Sequence, residues 1–262
     1  MIIKLFLTCL VVVGTTVLAQ GKETPAKRSD SALILVVPEL PWVPPVDSTR
    51  QTIFKYLEEK VGHKIVVTSP KPNGLINWAQ ERRKAAGSDP KALYSAVYEL
   101  LKVAQPLLQH PDLQQKRRGL WLADYAVFIA GPLKQDSWLA ARIYEGYLLS
   151  NLEAAQPEPW ENQSRKGILQ DARGAYFSAG ETENEIRVLR VLLALAKTTY
   201  AADATRALLA QSLARLGKYS EAIASLQAIT DPGISGIKAV IPEYEAELKK
   251  QQPVADKETK QP

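Results

Sequence analysis

The chain has one cysteine, one methionine and two histidines in 262 residues. Cys9 lies early in an apolar run, preceded by Phe6-Leu7-Thr8. It lacks the small residues that precede a lipid-attachment cysteine, so it reads as a small hydrophobe. With no second cysteine, disulfides and cysteine-ligated metal sites are excluded. The histidines are equally uninformative. His63 sits between Gly62 and the apolar Ile65-Val66-Val67, and His110 precedes Pro111. Neither belongs to a metal-spaced set, and no His-Glu-x-x-His is present. A Gly-x-Ser-x-Gly elbow and a glycine-rich phosphate loop are also missing. No catalytic residue, metal or cofactor is therefore expected.

Strong charge of either sign is missing too. The formal net charge is +5, and Lys4 supplies one unit of it. Two basic clusters, Glu81-Arg82-Arg83-Lys84 and Lys116-Arg117-Arg118, read as solvated helix faces, and no nucleic-acid partner is expected. Acidic residues come in groups: Glu58-Glu59, Glu158 with Glu161, Glu181-Glu183-Glu185 and Glu243-Glu245-Glu247. A glycan hydrolase needs two carboxyls about 5–9 Å apart, so a cell-wall glycan hydrolase stands as one alternative function. Against it, Glu181 to Glu185 open a helix, where negative charge complements the helix dipole.

What is present is organised in five stretches. Residues 1–19 carry Lys4, an apolar run from Leu5 to Leu18, and Ala19 before Gln20, the layout of a cleaved export signal. The run is interrupted by Gly14-Thr15-Thr16 and is shorter than the about 20 residues a membrane span requires. The mature protein is expected to be periplasmic or secreted, without a stable membrane span. Residues 20–31 are a polar lead expected to be disordered, and 251–262 a matching tail.

Residues 32–72 have a different texture. Leu33-Ile34-Leu35-Val36-Val37 and Ile65-Val66-Val67 read as strands, with a helix over Thr49 to Val61 ended by Gly62. That predicts a small strand-helix-strand element. It resembles the opening of periplasmic solute-binding proteins, which implies a second alternative: a small-ligand-binding module using the Pro38–Pro45 loop.

Residues 73–250 read as helical throughout. Expected helices cover 74–86, the stretch opened by Asp89-Pro90 and disturbed at Pro106, then 112–130, 136–155, 160–179, 182–197, 202–216, 220–229 and 235–250. Gly131, Gly180 and Gly217 each separate two apolar-periodic runs. Aligned on these glycines, Ala123, Ala172 and Leu209 stand eight residues before, and Val127, Tyr176 and Leu213 four before. Ala140, Leu189 and Leu226 stand nine after, and Ile143, Leu192 and Ile229 twelve after. These are the interlocking positions of antiparallel helix pairs. Of the five tryptophans, Trp121 and Trp138 flank the Gly131 turn and are expected in the core there; Trp42, Trp78 and Trp160 lie elsewhere. Asn162-Gln163-Ser164 is a glycosylation sequon, relevant only in a eukaryotic secretory pathway.

The third hairpin resembles the tetratricopeptide repeat. Leu209-Ala210, Leu213, Gly217, Tyr219, Ala222, Leu226 and Asp231-Pro232 fall at or near that family's signature places, over residues 203–232. The upstream hairpins depart from it. Arg173 and Glu185, and Asp124 and Asp136, replace small residues, and the glycine spacings of 49 and 37 exceed the repeat's about 34 residues. The resemblance implies a mainly α helical-hairpin solenoid whose leading helices line a groove. Candidate groove residues are Gln170, Gly174, Phe177, Ala207 and Gln211, and the family's charged carboxylate clamp is missing from them. The function expected is a non-catalytic adaptor or scaffold of the bacterial cell envelope, with a protein or peptide partner.

Overall fold

The computed structural model describes residues 46–68, 70, 74–131, 136–155 and 164–251, which belong to one compact unit. The export signal with Cys9, the polar lead, the Leu33–Val37 strand, the Pro38–Pro45 loop, Trp42, Glu158, Trp160, Glu161, Asn162 and the tail from residue 252 lie outside the described residues.

The protein is mainly helical. The described residues form α1 (Val46–Val61), α2 (Leu75–Ala86), α3 (Pro90–Leu108), α4 (Leu113–Ala130), α5 (Ser137–Ile143), α6 (Arg165–Ala179), α7 (Thr182–Ala194), α8 (Thr199–Arg215), α9 (Tyr219–Gln227) and α10 (Ile241–Gln251). Short polar residues start them. Asp89 accepts from Ala92 N (3.1 Å), Asp112 from Gln114 N (2.6 Å), and Ser164 from Gly167 N (3.0 Å). Each satisfies an amide that the first helical turn leaves open. Ser164 therefore starts α6 four residues after the expected Trp160.

No strand occurs among the described residues, and the second strand expected at Ile65–Val67 is not one. A strand needs a neighbour to pair with its backbone. Here Ile65 and Val67 instead half-bury against the first core, Val66 stays 74% exposed, and Thr68 bonds to Glu99 of α3. The helix before it, α1, is built into the helical body. Its Ile53 and Leu57 are fully buried, Tyr56 Oη donates to Asp136 (2.7 Å), and Glu58 accepts from Tyr98 Oη (2.8 Å).

The helices share two apolar cores. The first collects side chains from α1 through α7, and the second from α7 through α10. Helix α7 faces both: Val188, Val191 and Leu192 enter the first, while Ile186 and Leu189 enter the second.

The three glycines are not equivalent. Gly180 and Gly217 adopt left-handed backbone, φ 74° and 70°, and end their helices as glycine can at little cost. Gly131 stays right-handed at φ −54°, ψ −41°. The burial pattern agrees. All eight aligned positions around Gly180 and Gly217 are buried, whereas Val127 and Ala140 around Gly131 are only half-buried. The close partner of α4 is α3, across the His110-Pro111 turn. A Cβ built on Gly119 would meet Leu108 Cγ at 2.8 Å, Leu108 N at 3.0 Å and Ala104 O at 3.1 Å. Trp121 and Trp138 are accordingly half-buried. Trp121 stacks on Tyr125 (5.2 Å between centroids), and Trp138 lies against Tyr56 (4.6 Å).

This contrast gives a paired prediction. Gly119→Ala removes room at the α3–α4 crossing and destabilises by about 1–3 kcal/mol, despite alanine's better helix propensity. Gly174, in the middle of α6, has nothing within 4 Å of an added Cβ. Gly174→Ala therefore stabilises by about 0.5–1 kcal/mol. Urea unfolding of both variants measures the two signs.

Candidate functional site

The face formed by α6 and α8 is built around one buried acid. Glu185 of α7 is 2% exposed, and its charge is met by two guanidinium groups. Arg215 of α8 binds Glu185 Oε2, and Arg173 of α6 stands 4.0 Å from Oε1. The two residues that broke the repeat pattern, Arg173 and Glu185, therefore neutralise each other in the hairpin interior. A buried charge is tolerated when paired in this way. Two cations share one anion, so the outward side keeps net positive charge.

Phe177, 47% exposed, lies under the Arg215 guanidinium at 4.6 Å from the ring centroid. That contact ties α6 to α8 at the surface. Gln170, Gly174 and Phe177 follow at helical spacing on α6, and Gln211 sits one turn before Arg215 on α8. Gln170 and Gln211 are exposed, and Gly174 is backed by open space. Four of the five candidate residues thus lie at exposed or open positions of α6 and α8. Ala207 does not: it is 8% exposed and packs in the second core. The contribution of Arg215 was not anticipated. Its signal was its place four residues after Gln211, on the same helix face.

Further buried polar groups join this part to the rest. Arg142 of α5 pairs with Glu145 (2.8 Å) and with Glu181 at the start of α7, and Tyr176 Oη donates to Glu145 Oε1 (3.1 Å). Burial pushes the Glu145 carboxyl up, opposed by Arg142 and Tyr176. Glu181 and Glu185, read from sequence as helix-opening charge, are structural ion-pair partners.

Just after α5 the helix widens into a π turn, Tyr144–Leu148, followed by 3-10 turns over Leu149–Ala154. Gly146 lets α1 approach, with Thr49 Cγ2 only 3.3 Å from a Cβ built there. Its carbonyl accepts from Arg50 Nε (2.8 Å). Arg50 is itself 5% exposed and lies over Tyr147 at 4.9 Å.

On α8, Asp203 is fully buried and accepts from Thr230 N (2.7 Å), Asp231 N (2.7 Å) and Arg206. It fastens the loop after α9, the stretch ending in Asp231-Pro232. Burial alone would raise its pKa, but the amides of Asp231 and Thr230 and the Arg206 guanidinium together lower it to about 2.

A separate cavity of about 410 Å³ lies between α2 and α3, with His63 at its rim. His110 serves the α3–α4 turn, where Nδ1 accepts from Asp112 N (3.0 Å). Among the described residues, no three side chains form a metal-binding group, and no helix is long and apolar enough to cross a membrane. No family model matches the chain, and neither does any curated protein or solved structure.

Two predictions follow from the charged groups. Arg173→Met or Arg215→Met alone leaves Glu185 one cation, while the double variant buries it unpaired. The double variant should lose more stability than the two single losses combined, by about 1–3 kcal/mol in a chemical-denaturation cycle. For Asp203, a depressed folded pKa adds stability above the unfolded carboxyl range, and that stability drains away as pH falls toward 2. Asp203→Asn should therefore lower the melting temperature at pH 7. The gap to the unaltered protein should narrow steadily when both are melted at lower pH.

Proposed function

We propose that this is an exported, non-catalytic adaptor of the bacterial cell envelope, in which a tetratricopeptide-like stack of helices α6 to α10 presents a face to a protein or peptide partner. The observation that carries the reading is α7. A helix buried on two sides, second in the hairpin turned by Gly180 and packed toward the hairpin turned by Gly217, is what a helical-hairpin solenoid would require. In such stacks the leading helix of each hairpin lines the groove, and here those helices are α6 and α8.

The face suits an extended peptide. Phe177 supplies an exposed ring, Gln170 and Gln211 supply amides that can meet backbone groups, and Gly174 lets a chain come close. Arg173 and Arg215 leave positive charge beside them, which favours a partner segment carrying carboxylates. The acidic groups that a glycan hydrolase would need are engaged structurally in three cases: Glu58 with Tyr98, Glu181 with Arg142, and Glu185 with Arg215.

Site-specific photo-crosslinking tests the reading. A crosslinker at Gln170 and one at Gln211 should trap the same envelope protein, while one at Ala224, exposed on α9, should not. Phe177→Ala should weaken binding of that protein roughly tenfold or more, while the loss of one exposed cation–π contact costs only about 0.5–1 kcal/mol of stability. Equal crosslinking from α9, or unaltered affinity of the Phe177 variant, would rule this face out.

A further inference from the structure

We infer that the cavity between α2 and α3 is a binding site for a free α-amino acid. This stands apart from the adaptor reading, since it uses no residue of α6 to α10. The cavity measures about 410 Å³ and is lined by Arg82 and Ala86 of α2, by Asp89 at the start of α3, and by Lys91, Ser95 and Glu99 of α3. That volume lies toward the small end of the about 300–1,000 Å³ typical of ligand sites.

Its wall sets Arg82 and Lys91 against Asp89 and Glu99, and Asp89 is engaged as the cap of α3, accepting from Ala92 N (3.1 Å). Glu99 is 7% exposed, and its contacts among the described residues all fall on one oxygen. Thr68 N (3.4 Å) and Thr68 Oγ1 (3.2 Å) donate to Oε2, and Arg82 Nη1 stands 3.9 Å from the same atom. Oε1 takes part in none of these. The Arg82 contact is too long for a hydrogen bond, and Arg82 Nε is buried without a partner. Lys91 has no ionic partner among the described residues. It sits at an exposed position in the first turn of α3, where the helix dipole adds positive potential beside the capping Asp89.

A carboxylate placed between Arg82 and Lys91, with an ammonium group at Glu99 Oε1, would satisfy all of these groups. An α-amino acid carries both charges on one carbon, a spacing that suits two side chains held less than 4 Å apart. A lone anion would face Glu99, and a lone cation would face Arg82 and Lys91. The site therefore discriminates against singly charged compounds by leaving one wall group unpaired. The methyl groups of Ala86 and Ala96 leave room for the ligand's own side chain.

Titration calorimetry on the full chain tests this with alanine, leucine, lysine and glutamate, each beside its N-acetyl and C-amide forms. At least one free amino acid should bind with a submillimolar Kd, and both of its capped forms should bind about tenfold more weakly or worse. Arg82→Gln and Glu99→Gln should each abolish the signal. Ser95→Leu fills the cavity from a half-buried position that makes no hydrogen bond among the described residues, so it should block binding with little change in melting. Absence of binding by every free amino acid would overturn the inference. So would binding that survives Ser95→Leu, or a capped form that binds as well as the free one, which would point to a peptide terminus instead.

Discussion

A helix with apolar residues on two sides cannot be satisfied by one neighbour, and α7 is such a helix. Val188, Val191 and Leu192 need one apolar surface, and Ile186 and Leu189 need another. Everything after residue 164 is arranged to supply both. Helix α6 folds back through Gly180, and α8 closes the other side. Helices α9 and α10 then cover what α8 leaves open. Taking α7 out would leave both cores unsealed, because burial of apolar area is the dominant favourable term in folding.

The second constraint is electrostatic. A body assembled from layered helices must bring polar residues near the layer boundaries, and this chain meets that need with shared ions. Arg142 serves Glu145 and Glu181, Glu185 takes charge from Arg173 and Arg215, and Asp203 holds two loop amides and Arg206. Each group joins segments distant in sequence. Desolvation offsets part of the Coulombic gain in such groups, but removing one partner leaves a buried charge unpaired and is strongly destabilising. The same economy shapes the outward face, where Arg215 is at once a structural partner of Glu185 and a surface cation over Phe177.

Much of the helical layout was legible in the chain. Asp89-Pro90 and Asp112 start helices where capping chemistry says they should, and the apolar spacing around Gly180 and Gly217 matches buried positions one for one. Gly131 looked the same in sequence and is not. It stays right-handed, and α4 packs closely on α3 through Gly119, a contact between residues with no local signature. Ile65-Val66-Val67 has the composition of a strand, but composition cannot supply a pairing partner. Ala207 carried the right spacing for the groove and turned inward with the second core. Arg215, which borders that face, looked like an ordinary helix-ending cation.

The sequence by itself determined where most of the helices form, because caps, glycines and apolar period act within a few residues. It also holds no second cysteine, no metal-spaced pair of histidines and no familiar nucleophile motif. Only the tertiary structure decided which helices pair, which two of three glycines turn left-handed, and which acids are consumed by arginines. It alone brought Arg82, Lys91 and Glu99 around one cavity. Those outcomes depend on distances between residues far apart in the chain, and such distances are set by how whole helices pack, which no local pattern encodes.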